Sequence, residues 1–409
     1  MFKKTILLTL LLSSCAHSRP LEVLHWWTAP GETQALKTLQ SSLAEHGVQW
    51  KNFSIKGEGG NSAMRVLQMR ALAGTPPDVA QIKGPDISTW ATVGMIKSMD
   101  EVVNTKQWSH FLPEVVQQTI HYKGKFMAVP INIHRVNWLW LNKKIFTQLH
   151  LSPPQTWDDF FKSADKIKAA GYIALAHGGT VWQDVLLFES MALSMLGPEK
   201  YKQAFIEHDK NVLISSEMIQ LFKQYKRLHQ YTDAGLMAKD WFEATQLLID
   251  DKAAMQFMGD WAKGMFYVAG KKPMQDYLCV DVPESKGYYS YNIDSFVFFN
   301  KHSEDKELND QKIFVNTILS KKFQKEFSRN KGSIPVRTDM DMSTYDVCAQ
   351  KSYQDFKQDA LVPSFTQNIA TTSSVQNVVA RIISDYFNDP KSTAIQAVQH
   401  LYIALKTTN

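Results

Sequence analysis

The sequence predicts an α/β protein of two domains. Three observations carry that prediction. Short apolar strand signals alternate with amphipathic helix signals along the chain. One run, Phe296 to Phe299, is nearly continuously apolar, as in a sheet covered on both faces. The 409 residues exceed one core of ordinary size, yet no Gly-rich or Ser-rich linker divides them. Two domains that share the chain in interrupted pieces are therefore expected.

The elements follow in order. Leu21 to Trp26 is an apolar strand, and Leu36, Leu39 and Leu43 then fall at helical spacing before the stop at Gly47. Ser62 to Leu72 reads as a helix ended by Gly74, and Val79 to Ile82 as the next strand. Asp86 is expected to N-cap a helix through Trp90. Phe126 to Ile131 and Val136 to Leu141 are extended. Thr156-Trp157-Asp158-Asp159 is a capping box before a helix to Gly171. Tyr172 to Ala176 is a strand and Trp182 to Leu196 a buried helix. Ala253 to Met258 and Tyr277 to Val282 are further strands, and Gln376 to Lys406 are helices broken at Asp389-Pro390.

Composition removes several classes. Eleven Trp, 14 Tyr and 22 Phe do not belong to a disordered chain. The net charge of +5 comes from 45 basic and 40 acidic residues, well interleaved, which is no nucleic-acid footprint. Three Cys are too few for a disulfide scaffold or a Cys-based zinc array. His25, His134 and His177 lack the i,i+4 spacing of a metal-binding helix, so neither a metal nor a cofactor is expected. The P-loop, Rossmann, zincin and nucleophile-elbow motifs are absent. Gly57-Glu58-Gly59-Gly60 lacks the Lys-Ser of a phosphate loop and reads as a turn or a backbone approach to a ligand.

Residues 1–18 read as a signal peptide: Lys3 and Lys4 precede an apolar run, Thr5 to Leu12, far short of the roughly 20 residues that span a bilayer. Leu12-Ser13-Ser14-Cys15 fits the site before a lipid-modified Cys, and Ala16-His17-Ser18 fits ordinary cleavage; both readings stand. The compartment is extracytoplasmic in either case. Cys279 and Cys348 are expected to pair there, with two buried free thiols as the alternative. A bridge would close about 70 residues, for roughly 4 kcal/mol by the chain-entropy account.

The aromatic surplus points to a ligand. Trp26-Trp27 ends the first strand just before Thr28-Ala29-Pro30-Gly31-Glu32, and Trp261 follows an apolar strand in Gly259-Asp260-Trp261. Ligands of open α/β sheets bind beyond the carboxyl ends of strands. Indoles there would pack on the C–H faces of a sugar while nearby charges bond its hydroxyls. Trp138, Trp140 and Trp157, in apolar or helix-start settings, are expected in the core.

These residues sit in recognisable stretches: LEVLHWWT at 21–28, PINIHRVNWLWLN at 130–142, LAHGGTVWQD at 175–184, QFMGDWAKG at 256–264, NIDSF at 292–296 and KGSIPVRTD at 331–339. In combination the chain resembles bacterial extracellular solute-binding proteins of sugar ABC transporters, in particular their glucose-binding branch. The resemblance implies a maltose-binding-protein-like, type II periplasmic-binding-protein fold with a multi-segment hinge and a cleft between domains. Residues 21–131 plus 292–337 would form the first domain, and 132–291 plus 338–409 the second. It implies sugar contacts from Trp26, Trp27, Glu32, Lys83, Trp261, Asp294, Lys331 and Gln367. Arg135, beside His134 just after the first crossing, is a further cleft candidate. Many relatives carry His at the position of Gln367, so preference or affinity would differ here. The resemblance also pairs Cys279 with Cys348.

The function implied is capture of a monosaccharide, glucose first, for delivery to an inner-membrane permease by a monomer. Contact with the membrane would be through a lipid anchor at Cys15 alone. The competing reading is a secreted glycosidase with Glu32 and Asp294 as its carboxylate pair. Lys83 and Lys331 nearby would suppress the raised pKa that a general acid needs.

Overall fold

A computed structural model of the chain describes residues 19–233, 235, 239–301 and 305–406. The signal segment and Cys15 lie outside the described residues. Twelve strands are described: β1 (Leu21–His25), β2 (Trp50–Ser54), β3 (Val79–Ile82), β4 (His121–Tyr122), β5 (Lys125–Phe126), β6 (Val129–Arg135), β7 (Trp138–Asn142), β8 (Ile173–Leu175), β9 (Ala253–Phe257), β10 (Tyr277–Asp281), β11 (Tyr288–Phe298) and β12 (Ala360–Pro363).

They form two larger sheets and one small hairpin. The first sheet runs β2-β1-β3-β11-β12, with β6 also paired to β11; the second runs β10-β7-β9-β8. β1 is parallel to both β2 and β3, as the strand–helix–strand alternation requires. β11 is the long strand of the first sheet. Its start pairs with β12, its middle with β6 and its end with β3. Every residue of β11 after Tyr288 is buried, which explains why its end reads as a continuous apolar run.

Each sheet has its own apolar core. One gathers residues from 21–133 and 289–336, together with Phe356 and Ile369. The other gathers residues from 136–282 and 348–405, together with Ala29. The lobes join where β6 runs into β7, where β10 gives way to β11, and around β12. The range 338–409, assigned to the second domain from sequence, thus contains one strand of the first sheet. Cys279 on β10 is bonded to Cys348 on the helix Val347–Gln358, with Cα atoms 6.0 Å apart.

Two local expectations are corrected. Asp86 does not cap its own helix, Pro85–Thr92, where Gly84 holds the N-cap position. Its carboxylate instead accepts from Ser373 N (3.2 Å) and from the Ser373 hydroxyl, at the start of the helix Ser373–Asn388. The helix begun at Trp182 does break after Leu196, at Gly197, but a second helical stretch continues directly to Phe205.

The lobes touch closely where the helix Pro30–Ala44 meets the helix Ala262–Val268. A Cβ on Gly31 would lie 2.5 Å from the carbonyl carbon of Gly264, so the backbones approach with no room for a side chain.

Candidate functional site

Between the lobes lies a cavity of about 570 Å³, counting its solvent-open part. Trp26 and Trp27 reach it because β1 ends at His25 and delivers both indoles to the carboxyl edge of the first sheet. Trp26 is half-buried, with Lys83 Nζ 5.0 Å from its ring centre. Trp27 is buried, edge-on to Phe296 at 5.7 Å and 5.6 Å from Phe327. It is as much core as cleft. Trp261 faces them from the other lobe, 5.3 Å from His134 and 6.3 Å from Trp182.

The charged groups pair off around these rings. Glu32 sits in the first turn of the helix Pro30–Ala44. Its Oε2 accepts from Thr28 N (3.1 Å) and Ala29 N (3.2 Å), a place the helix dipole favours for an anion. Its Oε1 accepts from Lys331 Nζ at 3.0 Å. Lys331 ends the helix Lys321–Lys331 and also lies 5.2 Å from the Trp27 ring.

Asp294 sits at a bulge in β11, where the register against β6 shifts. It accepts from Gln81 Nε2 (3.2 Å) and Asn292 Nδ2 (3.3 Å), and lies 3.3 Å from His134 Nε2. His134 Nδ1 meets Asp260, whose other oxygen accepts from Arg135 N at 3.0 Å. Burial opposes charge on His134, but Asp260 and the bond to Asp294 outweigh it and raise its pKa. Burial likewise opposes charge on Asp294. The hydrogen bond and charge of His134, with Lys331 and Lys83, overcome it and hold the carboxyl well below its usual range. The result is a histidine clamped between two carboxylates, which favour its charged form.

Lys83 follows β3 and donates to Gln367 Oε1 at 3.0 Å. Burial is the largest influence on it and brings its pKa down to about 8. Gln367 is placed from the second lobe. Glu189, on the helix Val181–Phe205, accepts from Ser290 Oγ (2.5 Å), Ser364 Oγ (2.9 Å) and Thr366 N (2.7 Å). Ser364 Oγ in turn accepts from Gln367 N at 3.1 Å. Burial pushes the Glu189 carboxyl up.

Arg135 is brought elsewhere. It is wholly buried, paired to Asp281 at 2.9 Å and Asp355 at 2.5 Å, with its guanidinium 4.4 Å from the Trp138 ring. Successive side chains of a strand face opposite ways. With His134 on the cavity, Arg135 turns away and braces the second lobe instead. Trp138, Trp140 and Trp157 are core, as expected. Sequence reading missed Trp182, Trp241, Phe242, Asn292, Lys56 and Asp240, all of which line the cavity. Trp182 and Trp241 each stand at or next to the start of a helix, the same signal that singled out Trp261. Among the described residues no cluster of His, Cys, Asp or Glu is placed to hold a metal ion.

Comparison with known proteins agrees with this geometry. The family described as "Bacterial extracellular solute-binding protein" matches residues 29–325. A Brucella melitensis protein named "Probable sugar-binding periplasmic protein" is 37% identical over 399 residues, covering 97% of this chain and 94% of its own. The solute receptor AcbH, reported to prefer β-D-galactopyranose exclusively, superposes with a TM-score of 0.81 at 16% identity, over 95% of this chain and 99% of its own. Maltose-bound MalE3 of T. maritima superposes with a TM-score of 0.75 at 16% identity, over 95% and 100%. The fold is accordingly the maltose-binding-protein-like, type II one. Family members bind substrates and are not enzymes, which removes the glycosidase reading. The chain belongs to the bacterial extracellular solute-binding proteins, as a periplasmic, sugar-binding component of an ABC transporter.

Proposed function

We propose that the cavity takes a single aldohexose, glucose first, and releases it to the membrane permease. One observation carries this reading: Trp26, Trp182 and Trp261 surround a ring of charged groups that already neutralise one another. Lys331 answers Glu32, and His134 together with Lys83 answers Asp294 and Asp260. A charged ligand would upset that balance. A neutral polyol can insert hydroxyls between the partners and keep both satisfied.

Closure of the lobes on the sugar would follow from its greater contact area in the closed arrangement. We take Trp26, Trp27, Glu32, Lys83, Trp261, Asp294, Lys331 and Gln367 as the contacts, and leave Arg135 a bracing role. The same proposal has the mature chain act as a monomer, with Cys15 as its lipid anchor. Calorimetric titration with glucose, galactose, mannose, xylose and maltose tests it. One-to-one binding, tightest for glucose, is expected. No heat with any sugar would overturn the reading, and a different hexose in first place would correct only the preference.

A further inference from the structure

The Gly57–Gly60 run lies at the mouth of the cavity. Gly57, Gly59 and Gly60 have φ of 116°, 60° and 110°, conformations that favour glycine. A Cβ at Gly60 would lie 3.0 Å from the Trp26 indole, and one at Gly59 would lie 3.6 Å from that of Trp182. The loop therefore rests on one indole from each lobe. Its near end is pinned where Ile55 N donates to His25 O at 2.9 Å.

Lys56 reaches from this loop to the opposite lobe. Its Nζ lies 2.7 Å from Asp240 Oδ2 and 5.3 Å from the centre of the Phe242 ring. Asp240 is itself fixed as the N-cap of the helix Trp241–Ile249, its N–H donating to Glu243 Oε2 at 2.8 Å. Lys56 is 58% exposed and Asp240 20%, so the pair marks the boundary between cavity and solvent.

We infer that the Lys56–Asp240 pair bars the mouth of the cavity and limits it to one sugar ring. This rests on the sugar-receptor reading above and specifies the size of its ligand. A second ring, joined to the first and leaving by this mouth, would have to occupy the space of these two side chains. With that space free, Trp241 and Phe242 would offer it an apolar face. An exposed ion pair contributes little by its charge alone. The exclusion is therefore steric, and truncation relieves it where mere neutralisation does not.

The test is calorimetry of three proteins: the wild type, Asp240→Asn, and the double variant Lys56→Ala/Asp240→Ala. Each is titrated with glucose, galactose and mannose, and with maltose, cellobiose and lactose. In the wild type the best hexose binds at least about 100-fold tighter than the best disaccharide, since a blocked subsite leaves polar groups unpaired. The double variant narrows that ratio at least about tenfold, and its hexose affinity falls by up to about fivefold. Asp240→Asn leaves the ratio unchanged. If the double variant does not fold, Lys56→Ala alone narrows the ratio about threefold, at a position where truncation leaves the core intact. An unchanged ratio in a truncated variant that still binds hexose would overturn the inference. So would a wild type that binds a disaccharide as tightly as a hexose, and either result leaves the receptor reading standing. A wild type that binds none of these sugars removes both.

Discussion

Gly31→Ala separates the stability of the lobes from their ability to close. A Cβ at this position would meet the Gly264 carbonyl carbon at 2.5 Å, its oxygen at 2.8 Å and its Cα at 2.9 Å. All three are backbone atoms and cannot swing aside. Ordinary contact begins near 3.4 Å, so the helices must part by the difference, 3.4 − 2.5, or about 0.9 Å. Forced overpacking of this kind costs roughly 1–3 kcal/mol. Here that cost falls on the contact between the lobes. Within its own helix, Ala is favoured over Gly by up to about 1 kcal/mol. The expectation is a sugar affinity lower by roughly 5- to 150-fold, with an unchanged or slightly raised melting temperature for the ligand-free protein. Calorimetry and thermal melts measure the two quantities, and small-angle scattering with saturating sugar would show a larger radius of gyration. Wild-type affinity together with wild-type compaction would refute the reasoning, because the steric conflict would then have been absorbed at no cost to closure.

Three further outcomes are expected. Replacing Cys279 and Cys348 by Ser removes a constraint on residues 69 apart, so unfolding in urea should show a loss of roughly 4 kcal/mol by the chain-entropy account; a loss under 1 kcal/mol would contradict it. Lys83 titrates near 8 in the folded protein and near 10.5 unfolded, so the unfolded chain binds the extra proton between those values and stability rises with pH across that window. Thermal melts of Lys83→Met should therefore exceed the wild type below pH 8 by up to roughly 3 kcal/mol, and converge with it toward pH 10. Asp294→Asn removes one of the two carboxylates on His134, for about 2 kcal/mol in mildly acid solution. The His134 pKa is raised on folding and that of Asp294 lowered, so the penalty is fully present between about 4 and 6.5, shrinks in more acid solution as Asp294 protonates, and fades as pH rises through the folded value of His134; a penalty that grew above about pH 6.5 would contradict a charged His134.

Much of the site was legible because one rule, aromatic residues at the carboxyl end of a strand, holds for both lobes. β1 delivers Trp26 and β9 leads to Trp261, each shortly before the helix that follows its strand. Adjacent pairs were harder. In β6 every residue is buried, so no polarity alternation tells which of His134 and Arg135 faces the cleft. Only the ion pairs to Asp281 and Asp355 decide it, and those partners are 146 and 220 residues away. Trp27 posed the same problem beside Trp26, and its packing on Phe327 is as distant in sequence. β12 is four residues long and ends in Pro363, too short for a periodic signal, although it belongs to the first sheet. The helix Lys321–Lys331 is polar apart from Phe323 and Phe327, so its apolar stripe was thin even though it delivers Lys331. Lys56 and Asp240 are surface charges in a sequence full of them, and their meeting depends on the arrangement of the lobes.

The order in which strands join the first sheet bears on how the protein reaches its working compartment. β11 lies between β3 and β12 and also holds β6, yet it ends at Phe298 of 409 residues. A nascent chain emerging from the ribosome therefore lacks the strand that closes its amino-terminal sheet until nearly three-quarters of it has been made. β1, β2 and β3 can pair with one another early, but β3 and β6 must wait for a partner far along the chain, which slows folding. For a polypeptide that works outside the cytoplasm, this late-arriving keystone delays completion of the first sheet until most of the chain has been made.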